Sequence, residues 1–383
     1  MLTEFLPEVN RAQVDRIRAR VGDFGWDVMP DLVGWRGGID RDLVRRLCAH
    51  WCDQWDPDAW QQRLRRRRQL AGTGDGVPVH LIRERPVGAS SGPPVVLLHG
   101  WPSCVYEFER LIDPLLDAGR EVIVPSLPGY GFATPLTEPV SPRQVAGLVH
   151  RLVTHLLGHP SYVVHGTDWG SRVAGWLGVD HADACAGVHL SMLTSRADDA
   201  SVETEEEKEW SRRFRGGLAR AGGYQAIQGT RPQTLGFALA DSPVGTAAWI
   251  WEKYAEWADL PRTDGAWPSV DDVITTFGAD TLVDVAMLYL TTSSIVTSTW
   301  MYLAAGDDPP NYPGDGLRIP VGAAAFPDPL AVVPPRSLVD KSFAVVQWDE
   351  PQHGGHFPAL ESPSELADSL LRFVRRPEVA VRS

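Results

Sequence analysis

Lysine is almost missing from this chain. Only Lys208, Lys253 and Lys341 occur in 383 residues, the other basic residues being arginine, and acidic side chains outnumber basic ones 49 to 36. The formal net charge of −13 argues against a nucleic-acid partner, because phosphate neutralisation is what supplies most of that affinity. The run Arg63, Arg65, Arg66, Arg67, Arg68 is a local exception, expected as a solvated helix face or a clamp between parts of the fold. Cysteine is scarce as well. Cys48 and Cys52 lie one helical turn apart, but no further Cys or His pair completes a tetrahedral zinc set, and Cys104 and Cys185 read as isolated small hydrophobes. No stretch approaches the ~18 uninterrupted apolar residues of a membrane span, and Met1-Leu2-Thr3-Glu4 lacks the basic and apolar regions of a signal peptide. The expectation is a soluble, cytoplasmic protein with no membrane partner.

What is present is a sharp turn with a carboxylate at its tip. Tyr162-Val163-Val164-His165 reads as an apolar strand, Gly166 and Gly170 supply small flanks, and Asp168 sits between them where a helix begins. This is the shape of a nucleophile elbow with Asp where Ser is usual. A carboxylate is ionised at neutral pH and attacks without a base, but only at carbon carrying a good leaving group. That narrows the chemistry to opening strained rings or displacing halide. A second motif supports the reading: Val95-Val96-Leu97-Leu98 reads as a buried strand followed at once by His99-Gly100-Trp101-Pro102. In α/β-hydrolases this loop gives one backbone N–H to the oxyanion hole and the residue after the nucleophile gives the other, here Trp101 and Trp169. His99 is expected to brace the loop.

Residues 1–85 read as a helical preface, with apolar spacing at Val9, Val14, Ile17 and Val21, a second amphipathic stretch over residues 40–54, and a strand over 77–83. A Gly/Ser/Pro-rich connector precedes alternating strands and helices over residues 94–177, which imply a mostly parallel sheet. From about 196 to 304 the alternation gives way to helical sequence rich in tryptophan, expected as a lid; strands over 317–325 and 343–348 and a helix over 364–374 then complete the core. The expected division is 1–85, 86–195, 196–304 and 305–383.

An ester on Asp168 must be hydrolysed, which needs a base and a carboxylate to orient it. The base belongs in the loop after the last strand, where His353 and His356 compete; the flanking Gly354 and Gly355 favour His356. Asp328 in Phe326-Pro327-Asp328-Pro329 is the acid chosen, with Asp349 and Glu350 as runners-up.

Together these segments resemble the microsomal type of epoxide hydrolase, in its soluble bacterial form, within the α/β-hydrolase superfamily. The resemblance rests on His99-Gly100-Trp101-Pro102, Gly166-Thr167-Asp168-Trp169-Gly170, Gly223-Tyr224, Asp241-Ser242-Pro243-Val244-Gly245, Met301-Tyr302 and Gly354-Gly355-His356-Phe357. It implies an α/β-hydrolase fold with helical lid and N-terminal extension, Asp168 as nucleophile, Tyr224 and Tyr302 as lid acids, His356 as base, and a cis peptide at Trp101–Pro102. It implies an epoxide and water as the small-molecule partners and no cofactor; the expected assembly is a homodimer. Two departures stand out. The family's acid usually lies two residues after Phe-Pro, where this chain has Pro329, and the membrane-anchoring helix of mammalian members is absent. Haloalkane dehalogenases share the elbow but carry Asn or Glu where this chain has Trp101; a non-catalytic relative would tolerate the shifted acid. Trp249, Trp251, Trp257 and Trp267 crowd the lid, with Trp249 the expected substrate contact, so the substrate expected is a bulky aromatic natural-product epoxide such as a polyketide or enediyne intermediate.

Overall fold

The computed structural model describes residues 1–30, 32, 34–193, 202–263, 267–308 and 316–380. A nine-stranded sheet organises them. Its strands in chain order are β1 (Thr3–Phe5), β2 (Gln69–Gly74), β3 (Val77–Glu84), β4 (Val95–Leu98), β5 (Val122–Pro125), β6 (Tyr162–Gly166) and β7 (Cys185–Leu190); then, after a two-stranded ribbon of β8 (Arg262–Thr263) and β9 (Trp267–Pro268), β10 (Leu317–Ala324) and β11 (Phe343–Asp349). The spatial order β1-β2-β3-β5-β4-β6-β7-β10-β11 puts β4 and β6 side by side at the centre. From β5 to β11 every pairing is parallel, whereas β1, β2 and β3 join antiparallel. Both β4 and β6 are buried along their whole length, as strands covered by helices on two faces must be.

The N-terminal region departs from the helical preface expected. Its helices Arg11–Gly22 and Arg41–Asp53 form where the apolar spacing puts them, each capped by an Asn or Asp side chain, but β1 and β2 also extend the central sheet. Gln69–Gly74 carries two glycines and no apolar alternation; it is a strand because β3 offers it an edge. β7 likewise escapes the sequence reading, its Cys-Ala-Gly-Val-His-Leu being small and mixed although every residue is buried. The arginine run is a clamp. Arg63 makes a two-pronged ion pair with Asp284 in the helix Ala279–Thr291, Arg67 binds Glu109 and Asp113, and Arg68 reaches Glu4.

Between Glu205 and Ala304 the described chain is helical apart from the β8–β9 ribbon. The expected lid boundary at 195–196 lies outside the described residues. Among the described residues no single helix is long and apolar enough to cross a membrane.

Candidate active site

Strand β6 ends at Gly166 and a helix, Asp168–Asp180, starts two residues later. The turn is so tight that Asp168 sits at φ 47°, a left-handed conformation unfavourable for a non-glycine residue and held only because its surroundings fix it. The glycines are steric necessities: a Cβ on Gly170 would overlap Leu98 O, one on Gly166 would overlap Gly170 O, and one on Gly100 would overlap Asp168 Oδ1. The carboxylate is thereby thrust against the loop following β4, where Trp101 N–H donates to Asp168 Oδ1 at 2.8 Å. The peptide Trp101–Pro102 is cis, as the resemblance implied. Trp169 N–H lies in the first turn of the helix, where backbone donors lack intrahelical acceptors. His99 braces the loop: its Nε2 accepts from Leu127 N–H at 3.1 Å, and burial lowers its pKa to about 4, leaving it neutral.

His356 stands between two carboxylates. Its Nδ1 lies 2.7 Å from Asp328 Oδ2, and its Nε2 3.2 Å from Asp168 Oδ2, at ion-pair distance but without hydrogen-bond alignment. Asp328 therefore reaches the histidine from its early position. The reason is local: the N–H groups of Leu330 and Ala331 fold back onto Asp328 Oδ1 at 2.7 and 3.0 Å, leaving Oδ2 free to face the ring. Burial alone would lower the imidazole, but Asp328 and Asp168 outweigh it and hold the pKa up at about 10. The resting site thus holds an imidazolium between two carboxylates. Of the alternatives, His353 is exposed, and Asp349 accepts from Ser369 and Gln347 at the end of a buried chain running from His165 through His189.

Aromatic rings cover the carboxylate. Tyr224, from the helix Gly223–Thr230, stacks on Trp101 at 5.5 Å, and Tyr302, from the helix Trp300–Ala304, meets Trp169 edge-on at 4.7 Å; the phenols' ring centroids are 5.9 Å apart. Burial pushes both phenols well above their ordinary pKa, aided by Asp168 at Tyr224 and by Tyr224 and then Asp168 at Tyr302, so they remain proton donors. Tyr302 Oη and the indole N–H groups of Trp101, Trp169 and Trp257 are buried without a hydrogen-bond partner. Trp257 is the lid tryptophan in this set, its ring 5.1 Å from Tyr224 and 4.9 Å from His356, and its carbonyl accepting from His356 N–H. Trp249 lies about two turns earlier in the same helix and donates from Nε1 to Gln228 Oε1.

Sequence reasoning missed the residues that hold the histidine loop. Glu361 accepts from the N–H groups of Asp259, Gly355 and Phe357, and Asp259 accepts from Gly354 N–H. Gly354 sits at φ 103°, and a Cβ on Gly355 would press on Trp257 O and Asp259 N. Both glycines were legible as a turn; the carboxylates behind them were not, because they act on backbone.

Residues 2–108 match the model of the epoxide hydrolase N terminus, and residues 93–221 that of the alpha/beta hydrolase fold. A putative epoxide hydrolase of Stigmatella aurantiaca is 29% identical over 388 residues, covering 98% of this chain and 85% of its own. Epoxide hydrolase 1 of Sus scrofa is 29% identical over 88% of this chain and 80% of its own. Among solved structures, the Aspergillus niger epoxide hydrolase superposes with a TM-score of 0.83 at 27% identity, over 98% of this chain and 96% of that one.

Proposed function

Since the chain belongs to the microsomal-type epoxide hydrolases of the α/β-hydrolase fold and is an enzyme of that class, we propose that it opens an epoxide through an ester on Asp168 and releases a vicinal diol. One observation carries the reading: a carboxylate with one oxygen held by Trp101 N–H, the other beside an Asp-oriented histidine, beneath two buried phenols. Asp168 Oδ2, the oxygen not held by Trp101, attacks the epoxide carbon. As the C–O bond breaks, Tyr224 and Tyr302 hydrogen-bond the departing oxygen and one gives it a proton. Esterification removes the charge of Asp168, and with it part of what keeps His356 protonated. The proton His356 then releases replaces the one the phenol gave. Neutral His356, oriented by Asp328, takes a proton from water, and the hydroxide adds to the ester carbonyl. The N–H groups of Trp101 and Trp169 stabilise the oxyanion, a contribution of roughly 3 kcal/mol per donor in such sites. Collapse expels the diol; of the water's two protons one leaves with the diol and one stays on His356.

The test is intact mass and peptide mapping of His356→Ala after incubation with styrene oxide. Adduct equal to the whole epoxide on the Asp168 peptide is expected; no adduct, or adduct on another residue, would overturn the mechanism.

We take residues 1–85 as the family's extension, 86–195 and 305–383 as the core, and 196–304 as the lid that delivers the two tyrosines. We also infer a bulky aromatic epoxide, of the polyketide or enediyne kind, as natural substrate, supported by the aromatic walls; the site contact is better assigned to Trp257 than to Trp249. A kcat/KM for styrene oxide at least ~10-fold above that for 1,2-epoxybutane is expected on burial of the extra ring, and equal values would remove this inference. Homodimerisation and a cytoplasmic location belong to the same proposal, tested by sedimentation velocity and cell fractionation.

A further inference from the structure

Of the three lysines, Lys208 and Lys341 reach solvent, whereas the Lys253 side chain is 4% exposed. Lys253 lies in the helix Pro243–Trp257, four residues after Trp249 and four before Trp257, on the face turned to the helix of Tyr224. Its Nζ stands 4.9 Å from the centroid of the Tyr224 ring and 5.7 Å from that of Trp257. Glu252 and Glu256 accept from the same ammonium at 3.0 and 2.8 Å.

Ion pairs along a helix form readily at its surface, and taking an ammonium out of water is costly even when carboxylates accompany it. What burial adds here is contact with a phenol of the site. An aromatic face attracts a cation, and attracts it more once the phenol has lost its proton and the ring shares a negative charge. Among the described residues no lysine or arginine stands over the Tyr302 ring. The two phenols also differ in how each acts on the other. Burial raises Tyr224, with Asp168, Glu256 and Asp328 adding to the rise, but the Tyr302 phenol opposes it. Burial raises Tyr302 as well, and there the charge of Tyr224 is the largest addition. The phenols therefore do not ionise together, and the one that its neighbour favours and Lys253 touches is Tyr224.

We propose that Lys253 is a positioning residue of ester formation, its ammonium favouring negative charge on Tyr224 so that this phenol, and not Tyr302, gives its proton to the opening epoxide. The inference rests on the Asp168 ester mechanism. As Asp168 Oδ2 bonds to carbon, the C–O electron pair passes to the epoxide oxygen, which takes the Tyr224 proton. Tyr302 donates a hydrogen bond to that oxygen and keeps its own proton. The charge left on Tyr224 lies against the Lys253 ammonium until the proton released by His356 restores the phenol. Glu252 and Glu256 hold the ammonium in place on the ring, although the charge of Glu256 works against it at Tyr224.

The experiment follows ester formation alone, by intact mass over time with styrene oxide in the His356→Ala background. Adding Lys253→Met should slow it about 10-fold, the size of a desolvated cation–ring attraction, while Lys253→Arg, which keeps a cation on the ring, should stay within about threefold. Tyr224→Phe should slow it more than Tyr302→Phe does. Lys253→Met should then keep its full effect beside Tyr302→Phe and fall below about twofold beside Tyr224→Phe, the non-additivity of residues that act through one group. If Lys253→Met does not fold, Lys253→Gln, also uncharged but with an N–H for the carboxylates, carries the same comparison. An unchanged rate in the uncharged variant, a Lys253→Arg equally slow, a smaller loss from Tyr224→Phe than from Tyr302→Phe, or a lysine effect undiminished beside Tyr224→Phe would overturn the proposal. Absence of any ester in His356→Ala with Lys253 intact would instead remove the mechanism beneath it, so the two failures are distinguishable.

Discussion

His356 is a buried imidazole flanked by two carboxylates. Its pKa of about 10 is set by burial opposed by Asp328 and Asp168, so removing one carboxylate must lower it. Asp168→Asn removes the charge that the proposed ester would remove, and NMR titration should find His356 near 10 in the parent and clearly lower in the variant; an unchanged value would show that Asp168 does not act on His356. The same shift links to stability. A histidine whose folded pKa exceeds its unfolded value contributes stability fully present below about 6.5 and lost as pH rises through about 10. Thermal unfolding should therefore lose stability across that window in the parent, and His356→Gln should lack that component. Asp168, His356 and Asp328 were legible in the sequence because each lies in a short motif whose neighbours explain it. Trp257 and Glu361 were not: nothing local distinguishes Trp257 from the other lid tryptophans, and Glu361 acts through backbone N–H groups brought to it only by the fold.

At the scale of elements, the elbow is fixed by absences of side chain. Gly170→Ala places a methyl on the carbonyl of β4, and the helix must shift to relieve it. Loss of soluble protein, or destabilisation of about 3 kcal/mol in urea, is expected, in the range of severe steric substitutions. The join between β3 and β5 carries a buried ion pair beside its backbone ladder. Arg83 Nε donates to Glu121 at 2.7 Å with both side chains buried. Burial would raise Glu121, but His159 and Arg83 outweigh it and bring its pKa to about 2. Its stabilising share is present above about 4.5 and lost as pH falls through about 2. Glu121→Gln leaves Arg83 buried without its counter-charge and should cost about 3 kcal/mol by urea unfolding. Strands β4, β5, β6, β10 and β11 were legible as apolar runs between turn signals. β1, β2 and β7 were not, since each is a strand by virtue of the neighbour it pairs with.

At the scale of the whole molecule, the N-terminal region is stitched to the helical segment that carries the tyrosines. Arg63 and the Trp55 indole both bind Asp284, and His50 meets Asp280 at 2.7 Å. Asp284→Asn should weaken that seam, raising amide hydrogen exchange in the helix Ala279–Thr291 while leaving the central strands protected; unchanged exchange would show the seam to be held by packing alone. The ring cluster over Asp168 has a practical side. Three of the chain's fifteen tryptophans, Trp101, Trp169 and Trp257, lie around Asp168 and His356, where the proposed mechanism turns a carboxylate into an ester and back. Indole emission responds to such a change in nearby charge, so the proposed cycle should be visible as two phases of tryptophan emission after rapid mixing with an epoxide that has no colour of its own.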